Sequence, residues 1–136
     1  MAVIKRNVLF VDDDPVAQTL VTSMLTQAGY VVTCVNDGFE GLDLLHRYAF
    51  DIVLLDIMMG QMNGLDLLKR LKSNPETKDI PVIMLSGRYD KLTVVKASQL
   101  GAADYAVKPP ERELFLRKLE NILGGRPRFA EVHISE

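Results

Sequence analysis

The sequence of 136 residues is poor in the features that mark secreted, membrane and nucleic-acid-binding proteins. Its single cysteine, Cys34, excludes an internal disulfide, and we expect it to pack as a small core residue. No apolar run approaches the roughly 20 residues that span a bilayer, and the first residues, MAVIKRN, lack the pattern of a signal peptide. The net charge of −2 is not that of a nucleic-acid-binding domain. We therefore expect a cytoplasmic domain that by itself binds neither nucleic acid nor membrane.

The chain does contain enough apolar material for one core, and its elements alternate regularly. It is 48% hydrophobic and 25% charged, as is typical of one globular domain. Short apolar runs alternate five times with amphipathic stretches. The runs predict strands at residues 7–11, 30–35, 52–55, 81–85 and 103–107. Uninterrupted runs such as IVLL and VIML indicate strands that are buried on both faces, as in parallel sheets.

The five amphipathic stretches carry helix signals. Asp14, Asp37 and Asn63 are the predicted N-caps of the first three helices, and Gly29 and Gly101 end the first and fourth. The fifth helix is predicted to begin at Pro110. The apolar positions expected to face the core are Val16, Leu20 and Met24, then Leu42, Leu45 and Ala49, then Leu65, Leu68 and Leu71, then Leu92 and Val95, and finally Phe115, Leu119 and Ile122.

Five consecutive βα units predict an α/β fold of three layers. A doubly wound five-stranded parallel sheet, in the order 2-1-3-4-5 and with five helices, is the flavodoxin-like architecture of this size. In such folds ligands bind beyond the carboxyl ends of the strands, at the switch point between strands 1 and 3.

Polar side chains follow the predicted strands at this same edge. Asp12 and Asp13 follow the first strand, Asp56 the third, Ser86 the fourth and Lys108 the fifth. The first turn, DDDP, has no glycine to let backbone amides approach a phosphate, and its charge repels one. Clustered carboxylates repel one another unless a cation offsets them, and hard oxygens suit Mg²⁺ or Mn²⁺. The sequence therefore predicts a divalent-cation site at the sheet edge.

Four motifs in this order resemble the receiver domain of bacterial two-component response regulators, the family that includes chemotaxis regulators. They are LFVDDDP, DIVLLDIMMGQMNGLDLL, IPVIMLSG and GAADYAVKPP, with Ser86 30 residues after Asp56 and Lys108 22 residues after Ser86. The resemblance spans residues 6–123. It implies a receiver domain at residues 1–123, and we expect 124–136 to be a linker or the start of a truncated output domain.

The resemblance implies a role for each site residue. Asp56 is the phosphoacceptor, and the metal ligands are Asp12, Asp13, Asp56 and the backbone carbonyl of Met58. Lys108 and the Ser86 hydroxyl act on the phosphoryl group. Ser86 and the aromatic Tyr105 form the switch.

The resemblance also implies partners and an output. A sensor histidine kinase or a phosphotransfer protein donates the phosphoryl group. The domain is not an enzyme with a separate substrate, although it promotes its own phosphotransfer and autodephosphorylation. The surface of helix 4, strand 5 and helix 5 then changes and contacts a second copy or an output domain. In relatives the Lys108–Pro109 bond is cis.

The sequence departs from the family pattern without losing a chemical group. Gly60 stands where proline is usual, Gly87 where alanine is frequent, Asn63 where aspartate is frequent and Pro110 where an aromatic residue is frequent. These changes bear on loop dynamics and the lifetime of the phosphoryl group.

Three alternatives share parts of this pattern. A Mg²⁺-dependent hydrolase with an aspartyl nucleophile needs an acid/base two residues after Asp56, and Met58 cannot serve. A flavodoxin-like redox module is disfavoured by the acidic first turn. A phosphorylation-independent interaction domain is disfavoured by the intact acidic residues and Lys108. Met58 and Arg88 near the site further predict slow dephosphorylation.

Overall fold

The computed structural model describes residues 5–87 and 89–124, arranged as five βα units. The strands are β1 (Asn7–Val11), β2 (Val31–Val35), β3 (Ile52–Asp56), β4 (Val82–Ser86) and β5 (Asp104–Val107). The helices are α1 (Pro15–Gln27), α2 (Gly38–Arg47), α3 (Gly64–Ser73), α4 (Lys91–Gln99) and α5 (Arg112–Gly124). Each predicted strand is confirmed to within one residue at either end. The predictions for residues 125–136 and for Arg88 lie outside the described residues.

The sheet has the predicted topology. All four strand pairs are parallel, and the order is β2-β1-β3-β4-β5. Every residue of the central strands β3 and β4 is buried, because helices cover both faces of the sheet. The carboxyl ends of β1 and β3 are adjacent, so the switch point lies between them.

Side chains that alternate along the strands feed two apolar clusters, one on each face of the sheet. The cluster beneath α1 and α5 includes Val8, Phe10, Leu25, Leu54, Phe115 and Leu119, with Cys34 partly buried against it. The cluster beneath α2, α3 and α4 includes Leu9, Val11, Leu55, Leu68, Leu71 and Ala97. Among the described helices, none combines the length and the apolar character that crossing a membrane requires.

The helix ends follow the predicted signals. Asp14, Asp37 and Asn63 each accept a backbone hydrogen bond from the first turn of their helix, at 2.8 to 3.0 Å. Gly29 and Gly101 have φ values of +98° and +105°, a conformation that favours glycine, and they follow α1 and α4. Asp90 is a further N-cap, for α4, that the sequence analysis did not identify.

The predicted inner face of α1 is partly wrong. Val16 and Leu20 are 74% and 41% exposed. The buried residues of α1 are Ala17, Val21, Met24 and Leu25. Two apolar stripes run side by side along this helix, and periodicity alone does not show which of them faces the sheet.

The predicted inner face of α4 is also wrong. Leu92 is 80% exposed and Val95 is exposed as well, whereas Ala97 is the residue of α4 that is buried. A small residue lets this helix pack on the sheet while its larger apolar side chains face outward.

Smaller corrections apply to α2 and α5, whereas the predicted inner face of α3 is confirmed. Ala49 lies beyond α2 and is exposed, while Leu42, Leu45 and Leu65 are partly buried against the core. In α5 Leu123 is buried, and Ile122 is only partly so. The helix itself begins at Arg112, two residues after the predicted start.

Candidate functional site

Three strand ends bring an ion-pair cluster together at the switch point. Asp12 follows β1, Asp56 ends β3, and Lys108 follows β5. The Lys108 Nζ lies 2.9 Å from Asp12 Oδ2 and 3.2 Å from Asp56 Oδ1. Asp12 and Asp56 are 0% and 3% exposed, so both carboxylates depend on this one ammonium group for a positive partner within the cluster.

Asp13 adds a third carboxylate on the solvent side. One carboxylate oxygen from each of Asp12, Asp13 and Asp56 lies within 4.8 Å of the other two, and the Asp13 side chain is exposed. The structure therefore brings together the acidic residues that the sequence places at this edge. With three carboxylates and one ammonium group, the ionised cluster has a net negative charge. The exposed Asp13 side chain places part of that charge at the protein surface.

Burial and charge act on the two ionisable groups in opposite ways. Burial, and then the negative charge of Asp12, raises the pKa of Asp56 from 3.8 to about 6, although Lys108 opposes this change. Burial works against a charge on Lys108, but its hydrogen bonds and charge pairs with Asp12 and Asp56 outweigh it and raise the pKa of the lysine. The surroundings thus stabilise the charged form of Lys108 and destabilise the ionised form of Asp56.

This donor set fits a small hard cation. Carboxylate oxygens are ligands that Mg²⁺ and Mn²⁺ prefer, and uncompensated negative charge is what a divalent ion offsets. Met58 is close in sequence, and its side chain is 66% exposed in the loop after β3. Because that side chain is apolar, it offers no acid/base group, and this counts against the hydrolase alternative.

The other predicted residues lie along β4 and β5. Ser86 ends β4 and is buried, and its backbone carbonyl accepts a 2.7 Å hydrogen bond from the Lys108 amide. Tyr105 in β5 is partly buried, with its ring edge-on to Tyr89 at 6.3 Å between centroids. The Lys108–Pro109 bond is cis, as the resemblance implied.

Gly64 is a residue of the site that the sequence analysis recorded only as part of a motif. A Cβ atom at Gly64 would overlap the Asp56 carbonyl oxygen and lie 2.9 Å from Ile57 Cα. The Gly64 amide also donates a 2.9 Å hydrogen bond to the Ile57 carbonyl. The N-terminus of α3 therefore packs directly on the backbone of the Asp56 segment, and only glycine permits that approach. The signal in the sequence is the Asn-Gly pair after the loop.

Comparison with known proteins assigns the family. Residues 8–120 match the family model described as the response regulator receiver domain, and the chain belongs to that family. CpxR, a transcriptional regulatory protein of Escherichia coli K12, is 42% identical over 113 residues, which are 82% of this chain and 47% of that protein. Protein PilH of Pseudomonas aeruginosa is 33% identical over 118 residues, which are 87% of this chain and 98% of that protein. The chain spans about half the length of curated relatives such as CpxR.

A solved structure agrees with this assignment. The receiver domain of the sensor histidine kinase PA1611 from Pseudomonas aeruginosa PAO1 superposes with a TM-score of 0.79 at 28% identity, covering 87% of this chain and 97% of that one. It was solved with a magnesium ion coordinated in its active site cleft. The predicted fold and family are thus confirmed: the protein is a receiver domain of two-component response regulators, a phosphoacceptor signalling domain. Family membership gives no support to the hydrolase and redox alternatives.

Proposed function

We propose that Asp56 accepts a phosphoryl group from the phosphohistidine of a sensor histidine kinase or a phosphotransfer protein. The observation that carries this proposal is the contact of Lys108 with both Asp12 and Asp56, beside the carboxylate of Asp13. The Asp56 carboxylate is buried and lies beside two further carboxylates, and it has no evident structural role, since a neutral side chain would be more stable there.

The acidic cluster would hold the metal. The carboxylates of Asp12, Asp13 and Asp56, with the backbone carbonyl of Met58, would bind Mg²⁺ or Mn²⁺. When bound, the ion supplies positive charge beside the phosphoryl oxygens and offsets the repulsion among the carboxylates.

The side chains then position the transfer. One oxygen of the ionised Asp56 carboxylate attacks phosphorus, the new O–P bond forms as the N–P bond breaks, and the electron pair of that bond stays on the donor imidazole. Because the transition state is loose, the protein chiefly aligns groups and stabilises spread charge. The Lys108 ammonium and the Ser86 hydroxyl serve this purpose. At neutral pH Asp56, with a pKa of about 6, is mostly in the reactive ionised form.

Water later attacks the phosphorus of the acyl phosphate, which returns Asp56 to its free form. The large apolar Met58 side chain in the loop after β3 would cover the phosphoryl group and slow this step. We expect a phosphoryl half-life longer than seconds, measured as decay of the labelled mass after the donor is removed.

Labelling tests the phosphoacceptor directly. We expect incubation with Mg²⁺ and a small phosphodonor to add one phosphoryl mass to the intact chain, and a chelator to prevent it. Asp56→Asn removes the attacking oxygen and should abolish the gain. Asp43→Asn is the matched control, because Asp43 lies on the exposed side of α2 and pairs with Arg47. Equal labelling of Asp56→Asn and the parent would refute the assignment.

The output surface is the face of α4, β5 and α5. Leu92, Val95, Val107 and Leu114 are exposed there, beside a cavity of about 470 Å³ lined by Tyr89, Tyr105 and Pro110 among others. Exposed apolar side chains beside an open cavity, here Val107 and Leu114 with Tyr89, favour a protein partner. We propose that this face contacts a second copy or an output domain, and that Ser86 and Tyr105 connect it to phosphorylation.

Hydrogen exchange tests the switch. The Lys108 amide donates a hydrogen bond to the Ser86 carbonyl, and Tyr105 lies three residues before Lys108. A new bond between Ser86 or Lys108 and the phosphoryl group would therefore shift the conformational equilibrium of β5. We expect the phosphodonor to change amide exchange in α4 and β5 but not in β2. Tyr105→Ala should be labelled at the parental rate and lose most of that change. A parental exchange response in this variant would exclude Tyr105 from the switch.

We further propose that residues 1–123 act as the receiver domain in the cytoplasm and that 124–136 are a linker or the start of an output domain. The family match over residues 8–120 supports the first part. The reading frame past residue 136 tests the second.

A further inference from the structure

We infer that Gln18 is a positioning residue for the metal site, acting through the peptide group between Asp12 and Asp13. This inference rests on the proposed function, since it concerns how the acidic cluster is held ready for the cation. Gln18 lies in the first turns of α1, and its side chain points back toward the helix N-terminus.

The side-chain amide of Gln18 joins two loops of the site. Its Nε2 donates to the backbone carbonyl of Asp12 at 2.5 Å and to Asn36 Oδ1 at 2.9 Å. A backbone carbonyl can only accept, so the atom of Gln18 that contacts Asp12 must be the nitrogen. Asn36 is itself held, because its backbone amide donates to Glu40 at 3.2 Å. The chain of bonds runs from the first βα turn to the start of α2.

The hydrogen bond from Gln18 fixes the carbonyl oxygen of the peptide group between Asp12 and Asp13. The Asp12 amide donates to the Val35 carbonyl at 3.1 Å, and the Asp12 Oδ1 accepts from the Asp14 amide at 2.9 Å. Because a peptide unit is planar, holding its carbonyl oxygen also sets the position of the next Cα, that of Asp13.

Asp13 is the member of the cluster that most needs this restraint. Its side chain is exposed, whereas Asp12 and Asp56 are buried and paired with Lys108. Repulsion from those carboxylates favours a turn of Asp13 away from the cluster when no cation is bound. Gln18 opposes that movement, so the three carboxylates are already close when the ion arrives, and less ordering is required on binding.

Calorimetric titration of the full chain with Mg²⁺ tests the inference. Gln18→Met keeps the length and helix propensity of the side chain and removes the donor. We expect it to weaken Mg²⁺ binding by about three- to tenfold, as the loss of one hydrogen bond implies. Phosphoryl incorporation should slow at low Mg²⁺ and reach the parental rate at saturation, because the reacting groups are unchanged.

Gln27→Met is the matched control. Gln27 lies at the other end of α1, where its amide contacts Ser23 at 3.2 Å, so its substitution should leave Mg²⁺ affinity unchanged. Asn36→Ala removes the second acceptor of Gln18 and should weaken binding in the same direction; it also serves as the probe should Gln18→Met fail to fold.

The outcomes separate this inference from the proposed function. Unchanged Mg²⁺ affinity in Gln18→Met, with a lower melting temperature in chelator, would make Gln18 a structural residue only and overturn the inference while leaving the phosphoacceptor role intact. Unchanged Mg²⁺ affinity in Asn36→Ala would show that the contact of Gln18 with Asn36 has no part in positioning the site. A parent chain that binds no Mg²⁺ and gains no phosphoryl mass would overturn both.

Discussion

Asp56 carries a carboxyl group whose ionised form the fold disfavours and the proposed chemistry requires. Burial and the neighbouring Asp12 raise its pKa to about 6, and Lys108 only partly offsets them. In the unfolded chain the same group ionises near 3.8, its ordinary value. The folded state therefore binds more protons than the unfolded state between these two pH values, and its stability falls as the pH rises through them. The ionised Asp56 carboxylate is therefore a local source of instability.

Asp56→Asn should accordingly stabilise the metal-free protein at neutral and higher pH. With a chelator present at pH 8, we expect the free energy of unfolding to rise by about 2–3 kcal/mol, because the cost of the ionised carboxylate is removed. Below about pH 3, well under both pKa values, the carboxyl is protonated in both states of the parent, and the gain should disappear. Chemical denaturation at the two pH values measures both quantities.

Asp43→Asn again provides the comparison. Its exposed carboxylate should change stability by less than about 0.5 kcal/mol at either pH. A gain in Asp56→Asn that persists undiminished at pH 3 would show that the ionised carboxylate is not its cause.

Two elements meet at Asp56 with no room between them. The N-terminus of α3 packs on the end of β3, where a Cβ atom at Gly64 would overlap the Asp56 carbonyl oxygen. The predicted cap at Asn63 is confirmed, and β3 ends at Asp56, one residue beyond the predicted strand, but neither prediction showed that the two backbones touch. The contact depends on how the loop between them closes.

Gly64→Ala should therefore separate α3 from β3. We expect a loss of about 2–4 kcal/mol in the free energy of unfolding, because backbone atoms and not a flexible side chain must move. Phosphoryl incorporation should slow as well, since the shifted backbone carries Asp56. Thermal melting and the labelling assay measure the two effects.

Gly60→Ala is the same substitution in the loop just before α3, with no atom within 4 Å of the added Cβ. It should be neutral or slightly stabilising, because alanine restricts the unfolded chain more than glycine does. If Gly64→Ala were as mild as Gly60→Ala, the close approach of α3 to β3 would be wrong.

Helix faces show where sequence patterns were insufficient at this scale. In α1 the stripe through Val16 and Leu20 and the stripe through Val21 and Leu25 are equally apolar, and the second faces the sheet. In α4 the large side chains face outward and Ala97 faces inward. Packing against the sheet decides between such stripes, whereas periodicity only records that they exist.

Across the whole molecule, the parallel topology gathers charge at one edge. Asp12 and Lys108 are 96 residues apart in sequence, yet they form a 2.9 Å ion pair, because all five strands end on the same side. A cation bound at this edge would stabilise the entire fold by mass action, since the unfolded chain has no such cluster.

Mg²⁺ should therefore raise the melting temperature of the whole domain. At a free concentration of about 100 times Kd, we expect a stabilisation of about 2.7 kcal/mol, growing with the logarithm of concentration. Asp13→Asn should show the same response only at higher Mg²⁺, because it loses an exposed ligand without disturbing the buried pair. Thermal melts across a Mg²⁺ series measure both. A response in Asp13→Asn that overlays the parent would exclude Asp13 from the site.

The sequence by itself determined the elements, their order and the chemical character of the site. Apolar runs, caps and glycine stops are local signals. The right-handed crossover rule leaves few topologies for five βα units, and the order 2-1-3-4-5 is the natural candidate for a chain of this size. Asp12, Asp13, Asp56, Ser86 and Lys108 could be located because each follows a strand. Their number and charge predicted a cation.

Only the tertiary structure decided the distances and the contacts between elements. Lys108 lies 2.9 and 3.2 Å from two carboxylates of distant strands, and this arrangement together with burial sets the raised pKa of Asp56. Gly64 contacts the β3 backbone, and the Gln18 amide connects two loops. Each of these contacts joins residues that are far apart in the chain or lie on either side of a turn. A sequence records what each residue can do, but burial and ångström-scale approach arise only when separate elements pack together, and these set the strength of the electrostatic interactions.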